Sequence, residues 1–338
     1  MPIARCPAST RQCRSSRTDI AGGPVFCSAA YLKCLAQVRR FARDEQAAIL
    51  IEGESGTGKT QLARQIHLSS PRTSAPYHNV VLSTLDDTLA GSELFGHVLG
   101  AFTDARHART GHFATANGGT LFLDEIGKAS MAVQQKLLHA IEYGEIRPIG
   151  SDRDIRVDVR IVAATNVSLD SLVAQDRFLA DLHARLSAFR ICLPPLRDRR
   201  ADIAPLVTYY IDLLAPRCGY AELPAVDGDL LAALQRAPWP NNLRQLSATV
   251  HRLLVDAEGA SVLTLDHCLD DLAYLNDGAQ GRRPQLTRQG IDQAVTRAGS
   301  IVGAARLLGV DRTTIYRFLR HPSSSRVESS VEGVLHVG

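Results

Sequence analysis

The sequence predicts an α/β fold, a parallel sheet flanked by helices, followed by all-helical segments, and three observations carry that prediction. First, Ala47-Ala48-Ile49-Leu50-Ile51 reads as a buried strand and Gln61 to His67 has apolar residues at helical spacing. Between them lies Gly53-Glu54-Ser55-Gly56-Thr57-Gly58-Lys59-Thr60, which matches G-x-x-x-x-G-K-[ST]. Second, Gly118-Gly119-Thr120-Leu121-Phe122-Leu123-Asp124-Glu125 is an apolar strand ending in two acids. Third, from Asp202 to about Leu275 every apolar period is helical, which predicts a small all-α domain.

Each element has a chemical reading. Glycines let a loop close tightly on phosphate oxygens, and the amides of the helix behind it supply donors and a favourable dipole. Lys59 would reach the outer phosphates and the Thr60 hydroxyl would ligate magnesium. Asp124 and Glu125 fall at the carboxyl end of a buried strand, where open α/β sheets bind ligands. Asp124 would hold magnesium and Glu125 would polarise the attacking water. Arg160-Ile161-Val162-Ala163-Ala164-Thr165-Asn166 is a further buried strand, and Asn166 at its end would orient the water or sense the γ-phosphate.

Around this centre, Tyr31 to Phe41 reads as an amphipathic helix, Tyr77 to Leu82 as a second strand, and Met131 to Tyr143 as a helix followed by a turn at Gly144-Glu145. Phe102, between small residues on an expected loop, suggests a contact surface. Pro194-Pro195-Leu196-Arg197 marks a domain boundary. In the helical segment, Trp239-Pro240-Asn241-Asn242-Leu243-Arg244 puts Arg244 in the first turn of a helix.

Composition bounds the remainder. At 338 residues the chain should hold about two or three domains. A net charge of +3 is too small to argue for nucleic acid by itself, so the distribution of charge decides. From Arg282 to Arg320 there are eight arginines against Asp292 and Asp311 only. In that stretch Ala305 and Gly309, followed by Asp311 capping the next helix, have helix-turn-helix spacing. The recognition helix would carry Arg312, Thr313, Thr314, Tyr316 and Arg317 toward DNA. No apolar run is long enough to span a membrane, no secretory leader is evident, and the seven scattered cysteines are expected to be free thiols in a cytoplasmic protein.

Taken together these residues resemble the bacterial enhancer-binding proteins, the AAA+ activators of sigma-54 RNA polymerase. Four ordered motifs carry the resemblance: the phosphate loop, Glu93-Leu94-Phe95-Gly96-His97 before Gly100-Ala101-Phe102-Thr103, the Gly118 to Glu125 string, and Trp-Pro-x-Asn-x-Arg at 239–244. The resemblance implies an AAA+ P-loop ATPase with a helical lid, a Fis-type helix-turn-helix, ATP and Mg2+ as cofactors, and a hexameric ring with sites between subunits. It implies that Phe102 and Thr103 contact sigma-54 and remodel the closed promoter complex, and that Arg244 and a trans-acting Arg185 join Asp124, Glu125 and Asn166 in catalysis. It also places Ala116, Asn117, Gly118 and Gly119 with the loop as nucleotide-site residues.

The organisation expected is a disordered extension at 1–22, the α/β subdomain at 23–195, the lid at 196–275, a linker at 276–287, the helix-turn-helix at 288–321 and a tail at 322–338. With about 22 residues ahead of the ATPase segment no sensor domain is expected there, which resembles the subset controlled by a separate regulatory protein.

Four positions depart from the family pattern. Asp104 replaces a loop glycine. Val81 stands where the family has an Asn that restrains the catalytic Glu, and valine cannot make that hydrogen bond. Leu179 occupies the first position of the trans-acting arginine motif, while Arg185 keeps the second and Arg177 lies two residues from the first. Asn241 replaces a glycine near Arg244. The alternative reading that these changes favour is an ATP-binding DNA regulator with an impaired ATPase, acting without sigma-54 remodelling.

Overall fold

The computed structural model describes residues 24, 26–84, 87–102, 105–268, 291 and 293–295. Thr103 and Asp104 of the expected contact loop lie outside the described residues, as do Arg312, Thr313, Thr314, Tyr316 and Arg317. The chain divides into two units, Met1–His267 and Cys268–Gly338, and the first holds the sheet and the helices around it.

Its centre is a five-stranded parallel sheet in the order β2-β3-β6-β1-β7, with β1 Ile49–Glu52, β2 Tyr77–Val81, β3 Thr120–Asp124, β6 Arg160–Thr165 and β7 Phe189–Cys192. Parallel strands covered on both faces read as continuous apolar runs rather than alternating ones. β1 follows this rule, with Ile49, Leu50 and Ile51 fully buried, and every residue of β6 is buried. The edge strand β7 was not anticipated. Phe-Arg-Ile-Cys is short and has only one fully buried side chain, Ile191, so periodicity cannot find it. The turn expected at Gly144-Glu145 is a small antiparallel hairpin, β4 Glu145–Ile146 with β5 Ile155–Arg156.

The helices are set by their apolar spacing and their caps. In α1 (Ala29–Phe41), Tyr31, Cys34, Leu35, Val38 and Phe41 are buried at helical spacing, and the Ser28 side chain accepts from the Tyr31 amide. Its far end is closed by Arg160, buried at the start of β6, which donates to the carbonyls of Phe41 (2.6 Å) and Ala42 (2.8 Å). The phosphate-loop helix α2 (Lys59–Leu68) follows β1 directly. Helices α3 (Asp87–Phe95) and α4 (His112–Thr115) lie between β2 and β3 in the chain. Helix α5 (Met131–Tyr143) starts at the Ser130 cap and stops at Gly144, whose φ of 65° is one that glycine adopts without strain. Helices α6 (Leu169–Val173) and α7 (Ala180–Leu186) lie between β6 and β7 in the chain.

The second part of this unit is helical, with α8 Ile203–Leu214, α9 Gly228–Arg236 and α10 Asn242–Asp256. Trp239 is fully buried there and its indole N–H donates to the Leu234 carbonyl at 2.8 Å. The all-helical expectation needs one amendment, a two-residue parallel pair of β8 Ala225–Val226 with β9 Val262–Leu263. The free-thiol expectation holds at Cys34, Cys192 and Cys218 but fails at Cys27, which is disulfide-bonded. Among the described residues no helix is long and apolar enough to cross a membrane.

Candidate active site

The loop between β1 and α2 is held open by two glycines at positive φ, Gly56 at 77° and Gly58 at 104°. Gly58 is the N-cap of α2 and supplies no side chain to cap its amides, so those donors face whatever enters the loop. Thr57 is fully buried and its hydroxyl closes back on the Glu54 carbonyl at 2.8 Å. Lys59 is also buried, and its ammonium donates to the carbonyls of Gly53 (2.8 Å) and Glu54 (3.0 Å). Burial pulls the amine's pKa down, and the carboxylates of Asp124 and Glu125 pull it back up. The loop is therefore a pre-shaped anion cradle whose lysine rests on its own backbone.

The acids arrive from β3. Asp124 ends that strand, and its carboxylate accepts from the Thr60 hydroxyl (3.3 Å) and the Glu125 amide (2.9 Å). A hydroxyl of α2 and a carboxylate of β3 thus meet across the loop, a pair of hard oxygen donors suited to magnesium. Glu125 has a left-handed backbone, φ 56° and ψ 42°, as the chain leaves the strand. Beside it, Val81 pairs with Asp124 across the sheet, and its apolar side chain offers the Glu125 carboxylate no hydrogen bond. Asn166 follows the end of β6 and is exposed, and the carbonyl of the preceding Thr165 accepts from the Gly53 amide at 3.2 Å.

From the other side the helical segment closes onto the loop. Arg244 reaches the Ser55 hydroxyl at 3.3 Å, and the Leu243 amide donates to the Gly56 carbonyl at 2.9 Å. A Cβ on Gly56 would collide with the Asn241 carbonyl, so the contact there is backbone on backbone. Arg197 makes two parallel bonds to the Glu54 carboxylate, 2.8 and 2.6 Å. Those bonds, with a further one from Asn242, hold the Glu54 carboxyl below the usual carboxylate range. Asn241 has an ordinary φ of −104°, so its replacement of glycine imposes no backbone strain; the positive angles fall on Asn242 (51°) and Trp239 (47°).

Four residues at this junction were missed in the sequence. Arg197 was taken only as part of a boundary and Asn242 only as part of a motif. Arg199 is buried beneath the loop, donating to the Thr57 carbonyl at 2.7 Å and lying 5.0 Å over the Tyr31 ring. Asp202, also fully buried, accepts from the Cys27 amide (2.6 Å), the Ser28 amide (2.7 Å) and the Ser28 hydroxyl (2.7 Å). The available signal was the run Leu196 to Ile203, where charges recur beside apolar residues immediately after two prolines.

Other expectations are relocated. Ala116, Asn117, Gly118 and Gly119 do not line the loop. They precede β3, about 13 Å of strand from Asp124, at the opposite end of that strand. There Gly119 is required because a Cβ would collide with the Pro76 carbonyl, and Gly118 donates to the Asp158 carbonyl at 2.7 Å. Arg185, expected to act in trans, lies away from the loop of its own chain. It is 56% exposed on α7 and pairs with Glu142 at 2.7 Å. Leu179 caps the start of α7, half-buried against the core.

Phe102 is 43% exposed on a loop whose base is pinned at His97. The His97 backbone bridges to Arg109 on one side and Ile149 on the other, and its ring joins the Ser92 hydroxyl (2.7 Å) and the His107 carbonyl (2.8 Å).

Comparison with known proteins agrees with this geometry. Residues 25–192 match the model of the sigma-54 interaction domain, and residues 197–283 match that of the AAA+ ATPase lid domain. The regulatory protein LuxO of Vibrio cholerae is 45% identical over 234 residues, 68% of this chain and 44% of that protein. The Nif-specific regulatory protein of Rhodobacter capsulatus is 43% identical over 241 residues, 71% of this chain and 41% of that one. The chain thus spans less than half the length of these relatives. A crystal structure of NtrX from Brucella abortus in complex with ATP superposes with a TM-score of 0.69 at 28% identity, covering 92% of this chain and 72% of that one.

Proposed function

Because residues 25–192 belong to the sigma-54 interaction domain family and residues 197–283 to the AAA+ ATPase lid family, we propose that the chain couples ATP hydrolysis to remodelling of the sigma-54 RNA polymerase closed complex. The observation that carries this reading is the meeting of Thr60, Asp124, Lys59 and Arg244 at one loop, in a chain that also presents Phe102 exposed on a loop pinned at His97. The helix-turn-helix at 288–321 would deliver the protein to upstream DNA, and the working form would be a cytoplasmic ring, a hexamer.

In this reading Lys59 leaves the carbonyls of Gly53 and Glu54 for the terminal phosphates, and the amides behind Gly58 complete the cradle. Thr60 and Asp124 would hold magnesium, which would supply positive charge against the phosphate oxygens. Glu125, freed of any bond to position 81, accepts the proton of the attacking water, and Asn166 orients that water. Arg244 brings positive charge from the lid. Arg185 serves the neighbouring subunit's site, where the charge it supplies is strongest in a water-excluded environment. Phe102 and Thr103 press on sigma-54 as the loop moves.

The test is transcription in vitro from a sigma-54 promoter with the full chain, comparing ATP with a non-hydrolysable analogue. Open complexes with ATP alone support the proposal; equal output with both nucleotides, or none with either, refutes it. Phe102→Ala should keep ATPase activity and lose open-complex formation.

A further inference from the structure

Asn242 opens α10 two residues before Arg244, and it is fully buried at φ 51°. Its amide group bonds three groups on two separate segments, the phosphate loop and the chain at Leu196. Nδ2 donates to the Ser55 carbonyl (3.0 Å) and to the Glu54 carboxylate (3.2 Å), and Oδ1 accepts from the Leu196 amide (2.6 Å). Only a side chain with both donors and an acceptor can serve all three groups, and asparagine also tolerates a left-handed backbone better than most residues. Removing the amide would leave the fully buried Leu196 amide without its acceptor and take one donor each from the Ser55 carbonyl and the Glu54 carboxylate, which Arg197 still holds. The start of α10 therefore cannot slide along the phosphate loop without breaking several bonds together.

Resting on the ATP-hydrolysing reading above, we propose that Asn242 is a positioning residue that registers the lid on the phosphate loop and so sets Arg244 against the nucleotide. Arg244 lies in the first turn of α10, so a small tilt of that turn moves its guanidinium directly. Asn242 contacts the loop's backbone and its acidic residue, whereas Arg244 alone contacts Ser55 through its charged end. The amide acts through the arginine rather than on phosphate.

The experiment is equilibrium binding of a fluorescent, slowly hydrolysed ATP analogue with magnesium to the full chain. It compares the unmodified protein, Asn242→Asp, Arg244→Ala and the double variant, with the unfolding temperature of each measured alongside. Aspartate keeps the shape and the acceptor but loses both donors and adds a carboxylate beside Glu54. Each single change is expected to weaken binding about tenfold, and the double variant to bind no more weakly than Arg244→Ala alone. That non-additivity is what a purely structural role would not produce. Effects that multiply, or an Asn242→Asp protein that binds as the unmodified one does, overturn the inference. Asn242→Gly, which accepts the backbone angle but has no amide, must show the same non-additivity and serves if the aspartate variant does not fold. An unmodified chain that fails to bind the analogue refutes the ATP-hydrolysing reading itself; binding with multiplicative effects refutes only the role of Asn242.

Discussion

The phosphate loop and the α7 edge that carries Arg185 differ in how their charged groups are held. Around the loop, Glu54 is gripped by Arg197 and Asn242, Thr57 by Arg199, and Ser55 by Asn242 and Arg244, most of them buried or half-buried. On α7, Arg185 is more than half exposed and has one partner, Glu142, in a surface pair of the kind that contributes about 0–1 kcal/mol. A subunit thus organises the charge that binds its own nucleotide in advance. The charge that the proposed function assigns to a neighbour is left on a loosely held side chain, so in that proposal assembly would be the step that sets the rate.

The sharpest way to break this contrast is at the pre-organised side. Glu125→Gln should keep nucleotide binding and lower steady-state turnover by about 10² to 10⁴, because an amide cannot accept the water's proton. Lys59→Ala should abolish binding outright. An ATPase rate unchanged in Glu125→Gln would mean that the β3 acids are not the hydrolytic end of the site.

On the neighbour-facing side the expected effects are smaller and of both signs. Leu179→Arg should raise turnover about tenfold, since its half-buried stem can cover the same apolar surface while the guanidinium adds a second cation. Arg185→Ala should remove most of the remaining activity without weakening binding by an isolated subunit. The measurement is ATPase rate across protein concentration, where specific activity should climb as rings form. A flat profile would show that Arg185 does not act across an interface.

These two sides also differ in how far the sequence revealed them. The strand, glycine-rich loop and helix around Lys59 were legible because each is a local pattern, and β3 and β6 were legible because buried parallel strands are continuous apolar runs. What was not legible depends on long-range partners. Asp202 finds Cys27 and Ser28 some 175 positions earlier, and nothing in the local pattern of either segment points to the other. The same limit explains the misplacement of Ala116 to Gly119: adjacency to the Asp-Glu string in sequence put them at the wrong end of the strand. Leu179 and Val81 could be identified as departures, but only the structure shows Val81 paired directly with Asp124.

The smallest effect belongs to pH. The Glu54 carboxyl titrates below its ordinary value because Arg197, then Asn242, bonds its charged form. A depressed folded pKa stabilises the lid junction fully above the ordinary carboxylate range, and that contribution fades as pH falls through the folded value. Unfolding temperatures between about pH 7 and about pH 3 should therefore fall less steeply in Glu54→Gln than in the unmodified protein. Salt should blunt the difference, since the pair with Arg197 is about two-fifths exposed on both sides. Parallel curves would assign the acid sensitivity to other carboxylates.

The pinning of His97 has a mechanical consequence. Its backbone is shared by two bridges, and Val98 and Gly96 alternate with Ile149 as donor and acceptor, so the stems of the 98–108 and 147–154 segments are stitched into one strip. Gly150 sits so close to Ala101 that an added methyl would strike it, which leaves the two segments no room to shear. A load applied at Phe102 is therefore borne by both stems together, and from the 147–154 side it passes through β4 to the C-terminal end of α5, whose other end begins a few residues beyond Glu125. In the proposed function, the stiffness of that strip would set how much of a displacement begun at the acids survives to the surface.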